Sequence, residues 1–146
     1  MITLKPITIE QINNFDGSSY CVMSDNEKIK MIAESNDLLH NGNYFELLVV
    51  YLDNKIIGFM NLYAHSAHII SCGPEIKPEF QRKGYGFEAE KAALDYAKRK
   101  GFRIAVGYVD VNNIASQKLH EKLGFELNNT YVNKKSRKTN VYIKAL

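Results

Sequence analysis

Cysteine is scarce in this chain, and Cys21 and Cys72 are its only two. They form no Cys-x-x-Cys pair, and two cysteines cannot build a disulfide-rich framework. We therefore expect two reduced and mostly buried thiols. At 146 residues the chain is long enough for one domain, residues 1–146, whose core needs neither a disulfide nor a metal.

Long hydrophobic runs are also lacking, since the longest strongly apolar stretch covers only residues 47–52. That length is far too short to span a bilayer. The N-terminal sequence MITLKPITIE has no apolar segment of the kind found in secretory signals. The formal net charge of +3 is mild and tolerates anionic ligands without demanding nucleic acid. These absences predict a soluble cytoplasmic protein with no membrane partner.

Apolar periodicity and turn residues predict the element order β-α-α-β-β-β-α-β-α-β-β. Ser24-Asp25 can cap the second helix, which keeps near-helical apolar spacing to about residue 40. The middle of the chain is typical of an antiparallel meander with a hairpin turn at Asp53-Asn54. The other predicted elements are a short strand at 2–5, a weak helix at 7–15, the main helix at 84–100, a strand at 102–109, a short helix capped by Asn113 and a closing hairpin around 134–138.

The helix predicted at 84–100 has the clearest pattern in the sequence. Gly101 suits the position just after its last turn. In the shorter helix that follows, Ala115 and Leu119 are expected to face inward. Small residues at three- and four-residue steps predict that the main helix lies close to a sheet, and the inward face comprises Ala89, Ala92, Ala93, Tyr96 and Ala97.

The stretch QRKGYGFEAE, residues 81–90, raises the question of a phosphate site. The P-loop pattern G-x-x-x-x-G-K-[ST] is absent. Gly84-x-Gly86-x-x-Ala89 fits a dinucleotide fingerprint, but that fingerprint should directly follow a buried parallel strand. Here polar residues intervene, the upstream strands are predicted to be antiparallel, and too little chain follows Asp110 for further parallel units. We therefore favour a third kind of phosphate loop.

IKPEFQRKGYG followed by a helix resembles motif A of the GNAT superfamily of acetyl-CoA-dependent N-acetyltransferases, Q/R-x-x-G-x-G/A. NIASQKLHEKLGFE, residues 113–126, is similar to the second motif of the same family and lies at the family's distance. The Asn-x-Ala-Ser form is most like the branch of ribosomal-protein alanine N-acetyltransferases. The resemblance implies an α/β (α+β) fold: a mostly antiparallel central sheet of about seven strands with a splayed central pair, flanked by about four helices.

The resemblance implies acetyl-CoA as cosubstrate and no metal. Glycines at 84 and 86 let the backbone approach a ligand closely, and amides at a helix N-terminus favour an anion such as a pyrophosphate. Pantetheine would bind the splayed strand edge and Asn113. The implied coenzyme A residues are Ile76, Gln81, Arg82, Lys83, Gly84, Tyr85, Gly86, Phe87 and Asn113.

By the register of the motif, the amide near Ile76 polarises the thioester carbonyl, and Gly73-Pro74 fits a β-bulge there. Glu75 is the candidate base, acting through a water, although an ordinary carboxylate is a weak base. Many relatives carry Tyr where this chain has His120. Ser116 and His120 share a helix face, so either or both could protonate the leaving sulfur.

The acceptor expected from the resemblance is a primary amine, either a protein N-terminus or a small molecule. Two other functions stay open: an acetyl-CoA sensor without turnover, and a protein that binds RNA or acts on charged tRNA through the basic segment NKKSRK, residues 133–138. A solvated hairpin tip also explains that segment, so nucleic acid is not the expected partner. His65-x-x-His68 lacks a third metal ligand. Dimers are frequent among similar proteins, but no sequence feature forces one.

Overall fold

Seven strands form one mixed sheet in the computed structural model, which describes residues 1–146. The spatial order of the strands is β1-β2-β3-β4-β5-β7-β6, and only the β4–β5 pair is parallel. The sheet therefore matches the expected mostly antiparallel arrangement. The strands are β1 Ile2–Pro6, β2 Phe45–Leu52, β3 Lys55–Ala64, β4 Ile69–Ile76, β5 Ile104–Asp110, β6 Glu126–Val132 and β7 Lys138–Ala145.

Three α-helices accompany the sheet: α1 Asp25–Asn36, α2 Tyr85–Arg99 and α3 Ile114–Lys122. The predicted element order is confirmed, although the first predicted helix is a 3-10 helix, Ile9–Asn14. The helix α1 ends earlier than predicted, because Leu38 adopts a left-handed φ of 56°. Two further 3-10 helices are Ser19–Val22 and Pro78–Phe80.

The helix ends follow the capping residues in the sequence. The Ser24 hydroxyl accepts from the Glu27 amide, and the Glu27 carboxylate accepts from the Ser24 amide, which closes a capping box. Asn113 Oδ1 accepts the Ser116 amide at 3.1 Å and so caps α3 as predicted. Gly101, with φ 102°, follows the last turn of α2.

Helices cover both faces of the first four strands. On one face α2 packs through Ala89, Ala93 and Ala97, all fully buried, so the helix lies close to the sheet as predicted. On the opposite face Ile32 of α1 packs with Phe15 and residues of β2 and β3. The α3 helix lies on the α2 side, because His120 of α3 approaches Glu90 of α2.

The two central strands diverge after a short contact. β4 pairs with β5 only at Ile69–Ile104 and Ile70–Ala105, which confirms the splayed pair. The expected bulge at Gly73-Pro74 is wrong, because β4 keeps an unbroken register against β3 from residue 70 to 76. Pro74 is tolerated because its missing N–H faces the gap, where no partner strand exists. Register shifts lie instead between Val50 and Tyr51 of β2 and between Leu127 and Asn129 of β6.

Two expectations about burial are also wrong. Cys21 is exposed, because it lies on the short 3-10 helix Ser19–Val22 rather than in the core, whereas Cys72 is partly buried. Ala115 is exposed, and the residue that α3 buries is His120. None of the helices combines the length and apolar character needed to cross a membrane.

Candidate functional site

A cleft of about 690 Å³ opens between the start of α2, the end of β4 and the helix α3. Nine of the residues expected at the site line this cleft, and they lie on two separate stretches of the chain, 76–87 and 113–120. The fold therefore brings the two sequence motifs together across one cavity. These nine residues are Ile76, Gln81, Arg82, Gly84, Gly86, Phe87, Asn113, Ser116 and His120.

The loop before α2 has an unusual backbone. Arg82 and Gly84 both have left-handed φ values, 61° and 83°. Alternating backbone conformations of this kind turn successive N–H groups toward one concavity, which suits an anion. The loop leads directly into the N-terminus of a 15-residue helix, whose first amides lack intrahelical partners. Gly86 follows at the first turn, and a Cβ there would meet only Ile76, at 3.9 Å.

The amide of Ile76 points into the gap between β4 and β5. Successive residues of an antiparallel strand direct their N–H groups to alternate sides. Lys77 N–H donates to the Ile57 carbonyl on β3 at 2.8 Å, so the preceding Ile76 N–H faces away from β3. Gln81 Nε2–H donates to the Ile76 carbonyl at 2.8 Å and ties the loop to the strand end. Ile76 thus presents a free backbone donor at the inner end of the cleft.

Cations line the cleft, but not all of those expected from the motif. Arg82, Lys118 and Lys122 are lining residues, and Lys122 Nζ lies 4.2 Å from the centre of the Phe87 ring. Lys83 and Tyr85 do not line the cleft. The Tyr85 side chain turns toward the hydrophobic core beneath α2, so this residue brings only its backbone to the site.

A second cavity, of about 450 Å³, lies on the other side of the splayed strands. Tyr20, Asn61 and Glu75 line it, and the Asn61 Oδ1 atom is buried without a hydrogen-bond partner. Pro74, Ser116 and His120 line both cavities. The gap between β4 and β5 is therefore a passage that connects the two faces of the sheet.

Glu75 faces the second cavity, but its carboxylate is already engaged. The amide and hydroxyl of Ser19 both donate to it, the hydroxyl at 2.6 Å. Burial and the nearby Glu75 charge raise the pKa of the Tyr20 phenol, while a hydrogen bond from Asn61 opposes the shift. The phenol therefore stays protonated at neutral pH.

His120 is held between aromatic rings and is only 8% exposed. Its ring stacks on Tyr142 and meets Phe125 edge-on, with centroid distances of 5.5 and 4.9 Å. Nδ1–H donates to the Ser116 carbonyl at 2.8 Å, and the Ser116 hydroxyl lies at 3.5 Å from the same nitrogen. Since a carbonyl can only accept, Nδ1 carries a hydrogen and Nε2 is the nitrogen left open to proton exchange.

Glu90 and Gly107 are among the site residues that were not singled out in the sequence. Glu90, 1% exposed, lines the cleft, and its Oε1 lies 3.8 Å from His120 Nε2. The sequence pattern could have predicted the burial of Glu90, because position 90 precedes Leu94 by one helical turn on the buried face of α2. Gly107 of β5 lies under His120: a Cβ there would be 2.4 Å from Nε2. No local pattern marks that glycine, because the contact joins separate elements.

The two motifs and the cleft between them match a known family. The model of the Acetyltransferase (GNAT) family matches residues 10–125 of the 146-residue chain. The chain belongs to this family. It is an acetyltransferase, and the expectations of a GNAT fold and of an acyl-transferring enzyme are confirmed. No curated protein sequence matches the chain significantly.

Solved structures of GNAT acetyltransferases share this fold. An acetyltransferase from Salmonella typhimurium that modifies the N-terminal serine of ribosomal protein L7/L12 has a TM-score of 0.80 at 16% identity, with 99% of this chain and 95% of that chain covered. RimL, a ribosomal L7/L12 N-acetyltransferase, in complex with coenzyme A has a TM-score of 0.82 at 18% identity. The match covers 99% of this chain and 94% of that chain. Spermidine N-acetyltransferase from Vibrio cholerae, in complex with CoA and spermine, has a TM-score of 0.79 at 18% identity. The match covers 99% of this chain and 95% of that chain. At these identities the likeness shows the fold alone.

Proposed function

We propose that this GNAT enzyme moves the acetyl group of acetyl-CoA to a primary amine by direct attack within a ternary complex. The observation that carries this proposal is the passage between β4 and β5, which joins the cleft to the second cavity at Pro74, Ser116 and His120. A thioester lying in the cleft and an amine entering from the opposite face would meet there. No protein nucleophile is needed between them.

Coenzyme A fits the cleft by its chemistry. Its pyrophosphate is an anion of the size that the loop around Arg82 and Gly84 accepts, and the cations Lys118 and Lys122 lie on the facing wall. Pantetheine is an extended amide chain, and the unpaired edges of β4 and β5 offer it hydrogen bonds. Asn113 lies on the wall beside that path, although its Oδ1 already caps α3.

The acyl carbonyl requires a donor where negative charge develops. The Ile76 amide is aimed into the gap and has no partner on β3, so we assign it to stabilise the oxyanion. Bound acetyl-CoA supplies the thioester whose carbon the amine attacks. Because the amide belongs to the sheet, it needs little reorganisation when the charge forms.

The attacking amine must lose a proton, and Glu75 is the carboxylate nearest the passage on the acceptor side. Its carboxylate already accepts two hydrogen bonds from Ser19, so we assign it to orient the amine or a water that takes the proton. Asn61 Oδ1, buried and unpaired, is a ready acceptor for a second amine hydrogen.

The leaving sulfur would lie near Ser116 and His120, which line both cavities. A thiol with a pKa near 8.5 is a good leaving group, so the help required from an acid is small. We assign this protonation to His120, with the Ser116 carbonyl holding the imidazole in one orientation. The Ser116 hydroxyl, on the wall of both cavities, would be available to contact the sulfur.

The acceptor side continues beyond the second cavity. A third cavity, of about 550 Å³, shares Asn61 and Tyr63 with it and carries Glu27 and Glu34 of α1. This continuity supports an extended amine acceptor, either the N-terminus of a protein or a small molecule with a second amine. Both kinds have precedent in the fold, since RimL acts on a ribosomal protein and the Vibrio cholerae enzyme on spermidine.

The decisive experiment measures coenzyme A release, by thiol reagent, from acetyl-CoA with a panel of peptide N-termini and of mono-, di- and polyamines. Thiol release that requires one amine class confirms the proposal and names the acceptor. Calorimetry of acetyl-CoA with the wild type and the Gly84→Asp/Gly86→Asp variant tests the cleft separately. Binding without release on any amine would indicate a sensor. Absence of acetyl-CoA binding by folded protein would overturn the proposal and turn attention to RNA at residues 133–138.

A further inference from the structure

Two carboxylates of the protein are buried, Glu46 and Glu90, and no other residue donates a hydrogen bond to Glu90. Glu46, 3% exposed, accepts from the phenols of Tyr44 and Tyr96. Glu90 is more deeply buried, yet its Oε2 atom has no partner, and its Oε1 has only His120 Nε2, at 3.8 Å. A buried and unpaired carboxylate is costly, and the sequence places it on a face otherwise lined by alanine and leucine.

His120 is oriented so that its exchangeable nitrogen faces this acid. The Ser116 carbonyl holds Nδ1–H, and the stacked Tyr142 ring prevents the imidazole from rotating freely. Nε2 is left between two residues, Gly107, which lines the second cavity, and Glu90, which lines the cleft. The nitrogen therefore lies at the passage where the two cavities meet.

Few other titratable groups face this pair. From β4 the Cys72 thiol is close enough to interact with Glu90, and burial raises the pKa of Cys72 to about 12, so it stays neutral. From β7 the Tyr142 ring stacks on the imidazole. Lys118 and Lys122 of α3 line the same cleft as Glu90 but make no ion pair with it. His120 is thus the one basic group within ion-pair distance of Glu90.

We propose that Glu90 is a positioning residue that stores a proton beside His120 Nε2 and supplies it to the imidazole during the acyl-transfer step, an inference that rests on the function proposed above. When the tetrahedral intermediate collapses, the carbon–sulfur bond breaks and its electron pair leaves on sulfur. The Glu90 carboxyl gives its proton to Nε2 as sulfur takes one from that nitrogen, and the pair regains a proton from solvent. The proton lost by the attacking amine leaves separately, on the Glu75 side. Atoms and charge balance without any further reactant.

The electrostatics of the site support this arrangement. Burial raises the pKa of Glu90 from 4.5 to about 8, so the pair retains its shared proton through neutral pH. Because Nδ1–H is committed to the Ser116 carbonyl, the shared proton has only Nε2 and the carboxylate as sites. The proton therefore rests on the Glu90 carboxyl, beside the nitrogen that borders the passage.

The first test uses the unliganded wild-type protein and needs no variant. Nuclear magnetic resonance follows the Glu90 side-chain carboxyl carbon and the His120 ring nitrogens between pH 5 and 10. The proposal expects Nδ1 to remain protonated throughout, and Glu90 and Nε2 to change together with one midpoint. Separate midpoints for the two groups, or a proton resident on Nε2 with Nδ1 bare, would overturn it. This titration does not require turnover, so it tests the Glu90–His120 pair even if the proposed acetyl transfer is not observed.

The second test compares Glu90→Gln with Glu88→Gln, an exposed glutamate on the same helix. We expect Glu90→Gln to lower kcat by about 10- to 100-fold, in the range of an impaired acid catalyst, with the KM for acetyl-CoA within about threefold of wild type. In Glu90→Gln the alkaline limb of the pH dependence of kcat should also shift. Glu88→Gln should leave kcat and its pH dependence unchanged. A Glu90→Gln enzyme that binds coenzyme A and keeps the wild-type pH profile would contradict the proposal.

Discussion

Gly107 and His120 fit against each other so closely that no side chain is tolerated at position 107. A methyl group there would lie 2.4 Å from His120 Nε2 and 2.6 Å from Cδ2. Gly107→Ala must therefore displace the imidazole, and we expect a loss of about 1 to 3 kcal/mol in the free energy of unfolding. Urea denaturation of Gly107→Ala, His120→Ala and the double variant measures this loss. In a His120→Ala background the cost should fall, and an equal cost in both backgrounds would show that the ring is not the obstacle.

The loop before α2 provides a second prediction with a built-in control. Gly84 and Gly101 both have left-handed φ, 83° and 102°, and lie at opposite ends of α2. Alanine at either position costs about 1 kcal/mol of backbone strain. Only Gly84→Ala should also weaken acetyl-CoA binding, by about tenfold or more in calorimetry, because only that residue shapes the anion loop. Equal binding by the two variants would place the pyrophosphate elsewhere.

Glu75 provides a third prediction. Glu75→Gln keeps the shape of the side chain but removes the charge that faces the acceptor cavity. We expect kcat to fall by about 100-fold, the low end of the range for acid–base catalysis, because the group that orients the amine or its water is lost. Acetyl-CoA affinity should change little. The matched control is Glu79→Gln, an exposed glutamate on the neighbouring 3-10 helix. If steady-state rates of the two variants agree, proton removal does not pass through Glu75.

A fourth prediction concerns stability and pH. Burial raises the pKa of Glu90 from 4.5 to about 8, so the folded protein binds this proton more tightly than the unfolded chain. The stabilisation is complete below pH 4.5, declines as the pH rises toward 8, and is lost above it. At about 1.4 kcal/mol per pKa unit, the wild type should lose on the order of 5 kcal/mol relative to Glu90→Gln across this window. Denaturation curves at pH 5, 7 and 9 measure the difference, and parallel pH dependence in both proteins would refute the raised pKa.

The fold was predictable because its local patterns agree with its tertiary structure. The alanine face of α2, the turn at Asp53 and the cap at Asn113 all act within a few residues, where sequence spacing is informative. The error at Gly73-Pro74 has a physical reason. Proline and glycine mark a strand irregularity, but a strand whose free side faces a gap tolerates proline without any bulge.

The site was predictable only where it follows a contiguous motif. Residues 81–86 and 113–120 reach the cleft nearly as expected, apart from Lys83 and Tyr85. Tyr85 is the first residue of α2, and helix geometry directs its side chain toward the core rather than the cleft. The contacts of Glu75 with Ser19, and of His120 with Gly107, join residues distant in sequence. Composition and periodicity carry no information about such contacts.

The splay of the central strands divides the sheet into two unequal parts. In the sheet ladder, only two residue pairs link the four strands β1–β4 to the three strands β5–β7. A ligand held along the edges of both β4 and β5 would supply the cross-strand bonds that the protein itself omits. Saturation of the cleft should then make the two parts unfold as a single cooperative unit, so that the cosubstrate serves as a temporary structural member of the sheet.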